Sequence, residues 1–387
     1  MRDAVICAAV RTPVGKRGGG LSGVHAVDLS AHVLNALVER AGIMPADVED
    51  VFWGCVSQVG EQTFNIGRNA ALAAGWPETV TGTTIDRQCG SSQQAVAFAA
   101  ATVISGQADV VVAGGVESMS RVPMGSTYRV EGTGMPMGLT FLARYGGVFP
   151  NQGVGAEMIA ERWGFSRTQL DEYSLASHEK AAKAQADGAF DEEIAPVTLP
   201  DGTVVSADEG IRPGGTLEKL GSLKTPFKED GVISAGNASQ ISDGSAALLV
   251  TTSERARELG LRPLVRVHTT VMAGDDPVIM LTAPIPATQK VLARSGLSID
   301  DIGVYEVNEA FAPVPLAWLA DIGGADADRL NPHGGAIALG HPLGGSGARI
   351  MTTLVHRMQA TGTRYGLQTM CEGGGMANAT VLELLDA

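Results

Sequence analysis

The sequence predicts an α/β protein built from two similar halves, with a different kind of segment inserted between them. Three observations lead there. Strand and helix signals alternate along the chain, the pattern that folds into sheets covered by helices. A weak internal repeat relates the first third of the chain to the last. The middle departs from both in composition.

The elements follow in order. Ala4 to Val10 is an apolar run before Arg11-Thr12-Pro13; it is too short for a secretory leader and reads as a buried strand. Asp28 and Ser30 are candidate caps for a helix whose apolar stripe is Leu29, Val33, Leu34, Leu37 and Val38. Ala95 to Ile104 is the longest apolar run, about ten residues against the roughly 18 that span a bilayer. Asp109 to Gly115 is a strand ending in glycines, and Ala156 to Asp187 is one long helical stretch. Met272 to Ala283 is irregular, and a helix resumes over Thr288 to Ser295.

The repeat pairs Ala41-Gly42-Ile43 and the following Asp47 to Cys55 with Ser295-Gly296-Leu297 and the following Asp300 to Asn308. Each is a helix end, an acidic loop and a strand. The offset is roughly 250 residues; applied to Cys89 it lands near His341, and applied to the Gly114-Gly115 strand end it lands near Cys371. Duplication would bring Cys89, Asn308, His341 and Cys371 towards one crevice at the carboxyl ends of strands, where open α/β sheets bind ligands. The expected division is residues 1–119 as the N-terminal half, completed by about 239–265, an inserted loop domain over 120–238, and the C-terminal half over 266–387.

Composition excludes several classes. The 387 residues carry 28 Lys+Arg against 42 Asp+Glu, a net charge of −14, so no basic face is expected for nucleic acid. No membrane association and a cytoplasmic location are expected. Charged residues are 18% of the chain, against roughly 25% for an average soluble protein, which points to surface hidden in an oligomer. Gly supplies 50 residues, nearly twice the usual share, so many tight turns and close backbone approaches are expected.

Of the four cysteines, Cys7 and Cys55 sit in apolar strands and read as inert core residues. Cys89 and Cys371 are embedded in turn chemistry. Around Cys89, a β-branched run turns at Cys89-Gly90-Ser91-Ser92 and becomes an Ala-rich helix, the geometry of a nucleophile elbow. A helix N-terminus there is expected to lower the thiol pKa and to offer N–H groups to an oxyanion. His341 lies in Asn331 to Arg349, a stretch dense in Gly and Pro, where backbone passes close to a ligand and a His can serve a cysteine as base. Cys371 leads into Gly373-Gly374-Gly375, whose free N–H groups make a ready oxyanion hole. Asn308, at the end of an apolar strand, either orients substrate or caps the next helix. A zinc site from His333, His341 and Cys371 is disfavoured, because no pair has close ligand spacing. Arg212, Lys219, Lys224 and Lys228 form either a solvated face or an anion site.

Together these segments resemble the thiolases. The match rests on Arg87-Gln88-Cys89-Gly90-Ser91-Ser92-Gln93-Gln94-Ala95, Gly114 to Ser120, Gly236-Asn237-Ala238-Ser239 with Asp243-Gly244, Asn308-Glu309-Ala310-Phe311, Gly340-His341-Pro342 and Cys371-Glu372-Gly373-Gly374-Gly375, in order from Arg11-Thr12-Pro13 onward. The resemblance implies a duplicated thiolase fold, five-layered αβαβα with an inserted loop domain, in dimers or tetramers. It implies CoA thioesters as substrates, no permanently bound cofactor and no metal. It implies Cys89 as the nucleophile that takes an acyl group from CoA, His341 as its activator and Cys371 as the second acid/base. Asn308 would hold a water that, with His341, stabilises the enolate oxygen, and the N–H groups of Cys89 and Gly373 would hold the tetrahedral oxyanion. Ala238, Ser239 and the Lys224 region would contact CoA.

Three residues depart from the family pattern. Glu372 stands where a small or apolar residue is expected, Gly345 replaces an Ala, and Asn151-Gln152-Gly153 stands where acetoacetyl-specific thiolases carry His-Met-Gly. Two other readings were open: a decarboxylating ketoacyl synthase, which lacks the acid/base cysteine that Cys371 would be, and a non-catalytic lipid carrier, which would lack Cys89 or His341.

Overall fold

The computed structural model describes residues 2–132 and 134–385. The first half contributes β1 (Val5–Arg11), the short β2 (Gly15–Lys16), α1 (Ala26–Ala41), β3 (Asp50–Gly54), α2 (Ile66–Ala73), β4 (Thr81–Ile85), α3 (Ser91–Ser105) and β5 (Val110–Ser118). A segment with α4 (Leu139–Arg144), α5 (Gln152–Trp163), α6 (Arg167–Ala186), the mini-hairpin β6 (Val197–Thr198) and β7 (Val204–Val205), and α7 (Leu217–Gly221) precedes β8 (Ser242–Thr251) and α8 (Ser253–Glu258). The second half contributes β9 (Val265–Gly274), α9 (Pro284–Ser295), β10 (Val304–Val307), α10 (Pro313–Asp321), α11 (Ala336–Leu339), α12 (Leu343–Thr361), β11 (Tyr365–Glu372) and β12 (Met376–Leu384).

The duplication is visible in the sheet. The first half runs β4-β3-β5-β8-β1 and the second runs β10-β11-β12-β9. The place equivalent to β4 is taken by a single bridge from Tyr305 to Leu330. Each step matches in sense: β3 is parallel to β4 and β5, and β5, β8 and β1 alternate antiparallel. In the second half β10 is parallel to β11, and β11, β12 and β9 alternate antiparallel. The halves meet where Val5 pairs Arg266 and Ile6 pairs Val265.

Strands β1, β5 and β8 are buried at every residue, because both of their faces are covered; this is why they read as unbroken apolar runs. On one face of the first sheet lie α1 and α2; on the other lie α3 and α12, which also pack on Val304 and Leu382 of the second sheet. Helices α9 and α10 cover the far side of that second sheet. The result is five layers with α3 and α12 in the middle. That position explains their composition, since a helix buried on most of its surface keeps little polar face.

The close approach of the central layer requires missing side chains. A methyl at Gly347 of α12 would stand 2.4 Å from the backbone N of Gln93 on α3, and one at Gly344 would stand 2.5 Å from Cα of Cys55. At Gly345, where an Ala was expected, an added methyl would meet the backbone oxygens of Gly115 and Gly244 at 3.1 Å and force a shift of a few tenths of an ångström. These contacts hold the N-termini of α3 and α12 side by side.

The segment between β5 and β8 is fastened to β1 by a buried ion cluster. Arg11 donates from Nε to Glu193 at 2.6 Å and from Nη1 to Asp208 at 2.7 Å, and Ala195 N–H donates to Arg11 O. Removing one partner of such a cluster typically costs about 3–5 kcal/mol. Among the described residues no helix is long and apolar enough to cross a membrane.

Several local expectations are corrected. The cap of α1 is His25, whose ring accepts from Val27 N–H; Asp28 lies in the first turn, and Ser30 back-bonds to Ala26 O from inside the helix. The stretch from Ala156 to Asp187 is two helices. Gly164 ends α5 at φ 72°, and Ser166 opens α6 with a capping box to Gln169. Strand β9 continues through Gly274 because β12 pairs with it to the end, and α9 starts at Pro284, with proline at its first turn.

Candidate active site

The turn from β4 to α3 carries Cys89. Gln88 takes the left-handed conformation at φ 48°, a conformation that strains a non-glycine residue, and thereby sets the sharp reversal before Gly90 caps α3. Ser91 stitches the turn: its Oγ accepts from Arg87 N–H and donates to Gln88 O. Cys89 packs against Met119, Leu343, Ile350 and Met370. Leu343 is two residues from His341, and Met370 adjoins Cys371. The Gln88 side chain lies against Gly373, where an added methyl would meet Gln88 Oε1 at 2.9 Å. The four segments picked out in the sequence therefore converge.

His341 is 3% exposed and held at both ends. Its backbone N–H donates to Gln240 O and Ser242 Oγ. Its Nδ1 lies 2.6 Å from Ser346 Oγ, which itself donates to Pro342 O. With that hydroxyl proton committed, Ser346 accepts from Nδ1–H, and Nε2 is left unprotonated with its lone pair as an acceptor. Asn308 Nδ2 points at Nε2 from 3.5 Å. Asn308 does not cap α10, whose N-cap is Ala312; its backbone N–H donates to Thr369 O, and its Oδ1 is buried without a partner.

Cys371, near the end of β11, is buried among Phe311, Ile337 and Met280. Burial pushes its thiol well up, and the neighbouring Cys89 adds to this. For Cys89 the expected lowering by a helix N-terminus is overturned. Burial dominates, Glu372 adds to it, and the thiol is pushed up to about 12. Burial and Arg349 press His341 down to about 3. The resting pair is thus a neutral thiol and a neutral imidazole with a lone pair at Nε2, arranged for proton transfer at the moment of attack rather than for a standing ion pair.

This has a measurable consequence. An ordinary imidazole charges near pH 6.5, whereas His341, pressed down to about 3, stays unprotonated through that region. The acid limb of kcat/KM is expected to show no inflection between pH 6 and 7. A limb there that disappears in His341→Asn would contradict the reading.

Of the expected CoA contacts, Ser239 N–H donates to Ala310 O, and Ala238 bridges Phe311 beside Asn308 and Glu309. Lys224 is exposed, three residues from Phe227, whose ring meets Gly153 and stacks edge-on with Phe311. Among the cations, Lys228 pairs with Glu161 and Arg212 donates to Gln240. His333 is turned away from the site, with Nε2 at 2.8 Å from Arg357.

Two buried carboxylates from the matched segments, given no role by the sequence, complete the frame. Glu117 is fully buried yet saturated: it accepts from the N–H groups of Val56, Ser57 and Gly344 and from Gln62 Nε2, tying the His341 loop to the first half. Glu309 accepts from Tyr173, Ser177, Asn331 and Ile337 N–H.

The geometry agrees with the comparisons to known proteins. The thiolase N-terminal domain matches residues 4–254 and the thiolase C-terminal domain residues 261–384. The steroid 3-ketoacyl-CoA thiolase FadA6 of Mycobacterium tuberculosis is 50% identical over 393 aligned residues, covering 100% of this chain and 95% of the relative. A 3-ketoacyl-CoA thiolase of Aliivibrio fischeri is 45% identical, covering 99% and 100%. The crystal structure of the Bacillus anthracis acetyl-CoA acetyltransferase superposes with a TM-score of 0.92 at 40% identity, covering 100% of this chain and 99% of that one. With both halves of the fold accounted for in sequence and in shape, the chain belongs to the thiolase family of acyltransferases.

Proposed function

We propose that this thiolase cleaves 3-ketoacyl-CoA esters to acetyl-CoA and a shortened acyl-CoA through an acyl thioester on Cys89. The observation that carries the reading is the proximity of two buried thiols, Cys89 and Cys371, together with a buried imidazole whose Nε2 keeps its lone pair. Nε2 takes the Cys89 proton as sulfur attacks the 3-keto carbon. The N–H groups of Cys89 and Gly373 receive the oxyanion. The C2–C3 bond breaks, and the electron pair passes to the acetyl-CoA enolate, steadied from the Asn308–His341 side and protonated at C2 by Cys371. The resulting Cys371 thiolate takes the proton of incoming CoA, whose sulfur displaces the acyl group from Cys89, and the departing Cys89 thiolate recovers its proton from Nε2 of His341. Condensation of acetyl-CoA is the same path reversed.

Segment 120–238, with Ala238, Ser239 and the Lys224 region, is our assignment for the CoA-contacting part, with residues 1–119 and 266–387 as the two catalytic halves. Assembly as a homodimer or homotetramer fits the exposed apolar residues Phe64, Leu72 and Phe98 on the first half.

The acyl preference turns on α5. Asn151 is its cap, accepting from Gly153 and Val154 N–H, and Gln152 is half-buried in the first turn. Gln brings an amide that costs about 1–3 kcal/mol if buried unpaired, so it faces water or a polar substrate group and leaves the pocket to longer chains. Relatives named for steroid and other 3-ketoacyl-CoA substrates favour this over a dedicated acetoacetyl-CoA enzyme. Thiolysis of four-, six- and eight-carbon 3-ketoacyl-CoAs tests it: kcat/KM is expected to hold or rise with length, each buried methylene contributing about 0.8 kcal/mol. A steep fall beyond four carbons restores the acetoacetyl-CoA reading.

A further inference from the structure

Glu372 follows Cys371 on β11. Its carboxyl lies against the turn that carries Cys89, with Cys371 beside it on the strand. It is fully buried, and neither carboxyl oxygen has a well-formed hydrogen bond. Its Oε1 fills the place a side chain at residue 90 would need: a methyl on Gly90 would come within 2.0 Å of it. Gly90 has an ordinary φ of −84°, so it is the packing of the Glu372 carboxyl and Asn378 Nδ2, not backbone conformation, that a side chain there would disturb.

The groups facing Glu372 can be named element by element. The β4–α3 turn presents Arg87, with Nη1 at 3.8 Å from Oε2, and Cys89 itself. Its own strand presents Cys371. Strand β12 presents the uncharged Asn378, whose Nδ2 donates to Gly90 O and not to the carboxyl. Asp86 and Glu117 are the other carboxylates acting on Cys89. A buried carboxylate with one cation at long range and no well-formed hydrogen bond is poorly held. Burial, partly offset by Arg87 and by the nearby backbone N–H of Asn378, pushes the Glu372 carboxyl up to about 8.

We propose that Glu372 is a positioning residue for the nucleophile: its uncharged carboxyl props the turn beneath Gly90, and its charge, once formed, opposes the Cys89 thiolate. The proposal rests on the reading of Cys89 as nucleophile. Two properties follow from one side chain. The shape of the carboxyl fixes the turn, and its proton sets how far alkaline pH can activate the thiol.

The test is alkylation of the full-length enzyme by chloroacetamide between pH 6.5 and 10, with the labelled residue identified by peptide mass spectrometry. In wild type the rate is expected to rise less steeply with pH once Glu372 ionises. In Glu372→Gln, which keeps the shape and cannot ionise, the ratio of the rate at pH 9.5 to that at pH 7 is expected to be about tenfold larger, the change that one unit in the thiol's pKa produces. Arg87→Met removes the cation that favours the carboxylate, so the flattening is expected to begin at higher pH. Glu372→Ala removes the prop, and its thiolysis kcat is expected to fall at every pH, with Gln restoring it. Label on Cys89 with superposable profiles for wild type and Glu372→Gln overturns the proposal alone. Label on Cys371 in place of Cys89 overturns the nucleophile assignment and the proposal with it.

Discussion

Cys89→Ala is expected to abolish acyl-enzyme formation and to lower turnover by at least about 10⁴, the scale on which removal of an attacking group acts. The surroundings leave no substitute. Ser91 Oγ is committed at both ends to the backbone of its own turn, and Ser92 Oγ accepts from Ala348 N–H. Both are buried, so neither hydroxyl can swing towards the substrate carbonyl, and a hydroxyl is a far weaker nucleophile than a thiolate at neutral pH. Cys371 lies on the other side of the reacting carbon in this mechanism and is the more deeply buried thiol. The measurement is intact-mass spectrometry after exposure to acetyl-CoA: wild type is expected to gain one acetyl group, mapped to Cys89, and the variant none. An acetyl group on Cys371 alone would reverse the assignment of the two cysteines.

How far this site was legible follows from what each residue does. Cys89, His341 and Cys371 stood out because each sits where backbone must pass close to something, and only Gly-rich sequence permits that. The structure shows the cause directly in the contacts of Gly344 and Gly347 with the first half. The duplication was legible because helix end, acidic loop and strand recur at one offset. Ser346 was not legible as the residue that fixes the His341 tautomer, because a serine five residues on in a Gly-rich loop carries no pattern; its role exists only once Pro342 O takes its proton. The direction of the Cys89 pKa failed for a related reason. A helix N-terminus is a local feature that sequence can supply, whereas burial beneath Met119, Leu343 and Met370 is a sum over three distant segments. The break between α5 and α6 was available, in Gly164 and in the Ser166-to-Gln169 box, and helical periodicity on either side obscured it.

Cys371→Ala is expected to separate the half-reactions. Acylation draws on Cys89, on the unprotonated Nε2 of His341 and on the N–H groups of the Cys89 turn and Gly373, none of which the substitution touches. The register of β11 on β12, with Cys371 opposite Ala377, is a backbone pairing that alanine keeps. Carbon–carbon bond making or breaking needs a second group to move a proton at C2, and His341 is already committed to the Cys89 side by Ser346 and Asn308. Loss of a general acid–base typically costs about 10² to 10⁴ in rate. The variant is therefore expected to accept an acetyl group from acetyl-CoA at close to the wild-type rate while thiolysis and condensation fall by that factor. Quenched-flow mass spectrometry of the acyl-enzyme, set beside steady-state thiolysis, reads both numbers from one preparation. Loss of both half-reactions to the same degree would mean that Cys371 serves the acylation step as well, and the division of labour between the two thiols would have to be abandoned.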